Sequence, residues 1–118
     1  MSNENDKSFP EWVTKLPKGD YSADQAGGIR GYIVQGPNHQ VVFNENDEPV
    51  EFIPHTHAAS FGIVLQGWCD LVIEGVSTRY EAGDVYRVPA DTTHFARQSE
   101  NYKDIVIFNE AGRVPYQS

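Results

Sequence analysis

The chain has 118 residues, with 9 Lys and Arg against 17 Asp and Glu and a formal net charge of −8. That length holds one core and no second domain, and the acidic balance repels nucleic-acid phosphates and anionic lipid, so neither nucleic acid nor a membrane surface is an expected partner. No apolar run approaches the ~20 residues that span a bilayer, Met1 to Lys7 lack the apolar region of a secretory signal, and the single Cys69 excludes an internal disulfide framework, so a reducing, cytoplasmic setting is expected.

Residues 1–8 have the composition of a disordered tail and open a flexible N-terminal arm over residues 1–20. Within the arm, Phe9, Trp12, Val13 and Leu16 form a short apolar segment. It suits either a lid on a barrel edge or a contact with a partner subunit, with Trp12 the candidate for crossing between subunits. From Ile29 onward, short β-prone runs alternate with Gly, Pro, Asn and Asp turns. Strands are predicted at 29–34, 40–44, 50–54, 61–65, 69–74, 77–80, 85–88, 94–97 and 105–108. No helical period persists for three turns after residue 20. Many short strands at this spacing predict an all-β jelly-roll barrel over 21–112, with 113–118 as a C-terminal tail.

Strand alternation then assigns faces. Cys69, Leu71 and Ile73 form an apolar, inward set, with Cys69 an inert core thiol or a soft-metal ligand. His94, Ala96 and Gln98 share a face, so Gln98 follows His94 inward, to orient a bound water or to make a structural hydrogen bond. Tyr86 points in and Arg87 out; Tyr86 is core or a proton donor to a ligand, and Arg87 is a solvated charge unless it clamps a carboxylate. His39 opens a strand with Val41 and Phe43, and sits at the barrel mouth if that set faces in, or on the surface at a turn end. Arg79, Arg97 and Arg113 read as surface charges.

The chemistry concentrates in His55-Thr56-His57 and in His94, which stands in a Gly83-x5-Pro89-x4-His94 frame. Histidines at i and i+2 of an extended strand project to one face, so two imidazoles can reach one ion. Three imidazoles suit Zn, Fe, Ni or Cu and not Mg or Ca.

These two blocks resemble the motifs of the cupin family. Its first motif runs Gly-x5-His-x-His-x3–4-Glu-x6-Gly, matched here from His55 and His57 to Gly67; its second runs Gly-x5-Pro-x-Gly-x2-His-x3-Asn, matched by Gly83, Pro89, His94, with Asp91 for Gly and Gln98 for Asn. The resemblance implies a cupin jelly-roll barrel, a homodimer, and a divalent transition metal on His55, His57 and His94. The chain departs from the family at the fourth ligand, a Glu. Counting back from Gly67 places Ser60 there, and counting forward by alternation from His57 places Phe61; neither is a good ligand, so an open coordination position is expected.

What the resemblance implies about function divides three ways. One is a metal-dependent enzyme acting on a small polar carbonyl compound or sugar acid, isomerase or lyase in type, with a dioxygenase at a three-histidine Fe(II) centre as a variant. The second is a non-catalytic binding or sensor module for a small molecule. The third is a scaffold with a vestigial pocket. In the first, Tyr86 moves protons and Ser60, Gln98, His39 and Arg87 are candidates for the substrate pocket.

Overall fold

A computed structural model describes residues 6–24 and 26–117. Residues 1–5 of the expected disordered tail and Ser118 of the expected C-terminal tail lie outside the described residues.

The alternating runs form nine strands among the described residues: β1 (Arg30–Gln35), β2 (Gln40–Glu45), β3 (Val50–Glu51), β4 (Ser60–Gln66), β5 (Trp68–Ile73), β6 (Val76–Glu81), β7 (Val85–Val88), β8 (His94–Gln98) and β9 (Lys103–Phe108). They make two sheets, ordered β1-β2-β9-β4-β7 and β3-β8-β5-β6. All pairs are antiparallel. Successive strands alternate between the sheets often enough to give the jelly roll expected from the sequence. The inward faces supply two apolar clusters. One gathers Ile33, Val42, Val106 and Phe108 with Tyr21 and Val114; the other gathers Val64, Leu71, Val88, Cys69, Tyr86 and Tyr102. Each such aliphatic side chain contributes on the order of 1.5–3 kcal/mol on burial.

Two segments differ from expectation. The stretch 50–54 is a strand only at Val50–Glu51, because the pairing with β8 is then carried by single bonds: Phe52 N–H donates to Ala96 O at 2.9 Å and His55 N–H to His94 O at 2.9 Å. The stretch 113–118, expected as a tail, packs back on the barrel. Val114 is 1% exposed, its N–H donates to Gln40 Oε1 and its carbonyl accepts from Gln40 Nε2, both at 2.9 Å. A buried Gln40 side chain with both ends satisfied by this segment explains why the chain is held there.

The N-terminal arm lies along β1, an edge strand. Val13, on the single helical turn α1 (Glu11–Thr14), is buried, Phe9 meets Tyr32 and Phe43 edge to face at 6.2 and 5.8 Å, and Lys18 bridges to Tyr32. The arm thus covers main-chain groups that an edge would leave open.

Two glycines fix close approaches. Gly67, in the β4–β5 turn, has φ +77°, and a Cβ there would lie 2.3 Å from the Ser99 hydroxyl that accepts the Trp68 N–H. Gly62 lies opposite Tyr86, and a Cβ on it would lie 2.4 Å from the phenol Cζ and Oη. Gly62→Ala is therefore expected to push the Tyr86 ring out of place and cost about 1–3 kcal/mol in urea unfolding. An unchanged unfolding midpoint would contradict this packing.

Candidate metal centre and its pocket

The three histidines are placed by main-chain bonds. His55 and His94 face each other across an antiparallel bridge, exchanging N–H···O bonds of 2.9 and 3.0 Å, so their side chains leave on the same side. The His57 carbonyl accepts from Asp91 N–H at 3.0 Å. Asp91 has φ +56°, where the family motif carries Gly; its short polar side chain tolerates this left-handed backbone better than most. The segment 55–57 is thus not the extended strand that the i, i+2 spacing suggests, yet these bonds bring its imidazoles together with His94. Ring centroids are 4.4 Å (His55–His94), 4.6 Å (His57–His94) and 5.3 Å (His55–His57) apart.

Each Nδ1 lies against a main-chain carbonyl: His55 on Ile53 O at 2.7 Å, His57 on Ala58 O at 2.6 Å, His94 on Thr92 O at 2.7 Å. A carbonyl only accepts, so each Nδ1 carries the ring proton and each Nε2 keeps its lone pair. Burial lowers the His57 pKa to about 4 and lowers that of His94, and the Arg113 cation pushes both the same way. Those rings are therefore neutral at neutral pH, the form that ligates metal. His57 Nε2 and His94 Nε2 are 3.0 Å apart. Two lone pairs at that distance repel unless a ring proton or a metal ion lies between them. Imidazoles held about 2.0–2.1 Å from one ion at tetrahedral or octahedral angles have nitrogens about 2.9–3.4 Å apart. One ligand atom from each of the three residues lies within 4.8 Å of the others. The donor set fits a divalent transition metal.

The histidines open onto a cavity of about 70 Å³ whose lining includes Ser60, Tyr86, Gln98, Phe108 and Arg113. Ser60 is buried and lines the cavity, whereas Phe61 is 47% exposed, so counting back from Gly67 reaches the inward residue. Counting forward fails because residues 57–59 are not in a strand. Gln98 accepts from Asn46 Nδ2 at 3.3 Å. Tyr86 is buried as expected, but its hydroxyl donates to Asp104 Oδ2 at 2.7 Å. Burial pushes the Cys69 thiol up to about 12, in keeping with an inert core residue.

His39 is not at the barrel mouth. It is exposed and lines, with Arg87, a separate groove, because Gln40, Val42 and Asn44 are the inward set of β2. Arg79 and Arg97 pair on the surface with Asp70 and Glu51.

Two residues gain roles that the sequence reading did not give them. Arg113, read as a surface charge, is a cavity wall: its Nη2 donates to Asp24 Oδ2 at 3.1 Å and its Cζ is 5.6 Å from the Phe108 ring centre. Its Nε is the one buried side-chain nitrogen or oxygen without a partner among the described residues. No local pattern marks it, since it follows the last strand. Asp104 is fully buried, accepting from Asn44 Nδ2 at 3.0 Å and from the Tyr86 and Tyr102 hydroxyls at 2.7 Å each. Alternation could have found it, because it shares the inward face of β9 with Val106 and Phe108.

The Cupin domain family matches residues 40–103, more than half of the chain. The chain belongs to the cupin family. Solved cupin structures agree in fold. An RmlC-like cupin from Shewanella frigidimarina superposes with a TM-score of 0.72 at 23% identity, over 90% of this chain and 91% of that one. KdgF from a Halomonas species does so at 0.64 and 28% identity, over 70% and 81%. The EutQ protein of Clostridium difficile reaches 0.60 at 14% identity, over 70% and 63%. No curated protein matches the chain. Among the described residues no helix is long and apolar enough to cross a membrane.

Burial raises the Asp104 pKa, and its three hydrogen bonds pull it partly back. A carboxyl whose folded-state pKa lies above its unfolded value contributes fully to stability below the unfolded value, and loses that contribution as pH rises through the folded one. Between about pH 4 and about pH 7 the stability of Asp104→Asn should therefore rise relative to wild type, whatever its level at pH 4. Urea unfolding at both ends of that range measures it; a parallel pH dependence would contradict the assignment.

Proposed function

We propose that this cupin is a metal-dependent enzyme acting on a small, polar, anionic carbonyl compound of the sugar-acid kind, by isomerase or lyase chemistry. The observation that carries this is the convergence of three Nε2 lone pairs, each fixed by its Nδ1–H bond to a main-chain carbonyl. His55, His57 and His94 hold the ion, and Ser60 at the place of the family's Glu leaves a coordination position for ligand. When bound, the metal supplies Lewis-acid polarisation of a ligated carbonyl or hydroxyl oxygen.

The chain's own residues supply the rest. Arg113, largely buried beside Asp24 and Phe108, offers its unpartnered Nε to a carboxylate of the substrate. Tyr86 carries protons, and its bond to Asp104 makes it a relay that takes a proton from the ligand side as it gives one to the carboxylate. The apolar walls, Leu71, Val88, Val106 and Phe108, exclude water from the reacting groups. Homodimerisation belongs to this reading, with Trp12, 67% exposed on the arm, as the candidate contact.

Metal analysis by mass spectrometry tests it. Tag-free protein reconstituted with Zn, Fe(II), Ni or Cu is expected to hold about one equivalent per chain of at least one of them, and the His55→Ala/His57→Ala double variant to hold none. Equal metal content in both proteins, or none in wild type after anaerobic reconstitution, would overturn the reading.

A further inference from the structure

Beside the three histidines and Arg113, the cavity lining carries a hydrogen-bonded network. There Tyr21 Oη donates to Asn44 Oδ1 at 2.6 Å, Asn44 Nδ2 donates to Asp104 Oδ1 at 3.0 Å, and Tyr86 Oη donates to Asp104 Oδ2 at 2.7 Å. Tyr21, Asn44, Tyr86 and Asp104 all line the cavity; Tyr102, which also donates to Asp104, does not. A phenol has one proton and two lone pairs. Tyr21 and Tyr86 commit that proton to the network, so they have only lone pairs to offer a ligand.

Asp104 sets this direction. An amide nitrogen can only donate, so the Asn44 side chain fixes which way its bond runs, and the Asn44 oxygen must then accept from Tyr21. With three donors around it, the carboxylate is satisfied as an acceptor. Asn44's second amide hydrogen is the remaining donor on this wall. The backbone makes room for both phenols: a Cβ on Gly62 would lie 2.4 Å from Tyr86, and one on Gly31 would lie 2.9 Å from Tyr21. With a cavity near 70 Å³, a ligand small enough to reach the metal also lies close to this wall.

We propose that Tyr21 and Tyr86, oriented by Asp104, form a hydroxyl-recognition wall, so that the ligand is a small hydroxylated acid giving hydrogen bonds to the phenol oxygens while its anionic end meets the metal centre and Arg113. This rests on the metal-and-arginine reading above. It adds a selection rule that the reading lacks. A ligand able only to accept leaves two desolvated phenol oxygens unmatched, and sites built to pair with a ligand hydroxyl discriminate against analogues lacking it. Asp104 acts through the tyrosines and is a positioning residue.

Isothermal titration of zinc-loaded protein with glycerate, 3-fluorolactate and lactate tests the wall. Fluorine is close to a hydroxyl in size but cannot donate. Glycerate is expected to bind about fivefold more tightly than 3-fluorolactate. Tyr86→Phe should bring that ratio to about one. Asp104→Asn, whose amide donates to Tyr86 Oη and releases that phenol's proton toward the cavity, should abolish the preference with both tyrosines present. Equal binding of glycerate and 3-fluorolactate by wild type, or a preference that survives both substitutions, would overturn the wall and leave the metal-and-arginine reading intact. Failure of all three acids to bind the zinc-loaded protein would overturn both.

Discussion

Three main-chain carbonyls, those of Ile53, Ala58 and Thr92, decide the chemistry of the pocket. By accepting the Nδ1 proton of each imidazole they fix its tautomer and its orientation together, leaving three Nε2 lone pairs aimed at one place. This is the outer support that metal-ligating histidines need, and here it comes from backbone rather than from carboxylates. Because the backbone is held by the His55–His94 bridge and by the Asp91 bond to His57, the geometry does not depend on the family's Glu.

The five-stranded sheet delivers the remainder of the site. β9 brings Asp104 to the inner wall, Val106 to the middle and Phe108 against His57, at 5.2 Å and edge to face, and the chain then turns to place Arg113. Gly62 on β4 clears the space that Tyr86 enters from β7. The acidic chain thus places a cation beside the three histidines and a buried carboxylate behind the Tyr86 phenol.

Much of this was legible in the sequence. Nine strands, the inward Cys69 and Leu71, the outward Arg87 and the two histidine blocks follow from alternation and motif spacing, which report local geometry. What the sequence leaves open or misses needs tertiary information. His39 shares a face with Val41 and Phe43, and the turn at Gly36 sets the β1–β2 register so that Gln40, Val42 and Asn44 face in and His39 lies on the surface. The 113–118 segment looks like a tail because only contact with Gln40, 74 positions away, holds Val114. Arg113 is invisible for the same reason, since its place depends on Asp24 and Phe108. Asp104 was visible in principle, as a carboxylate on an otherwise apolar strand face.

The central claim is that one divalent metal is held by three neutral imidazoles through Nε2. X-ray absorption spectroscopy of the zinc-loaded protein addresses it most directly. The account predicts a first shell with three imidazole nitrogens at about 2.0–2.1 Å and the outer-shell scattering of three rings, completed by light oxygen donors. A shell with one imidazole or none, or with a sulfur scatterer from Cys69, would contradict it.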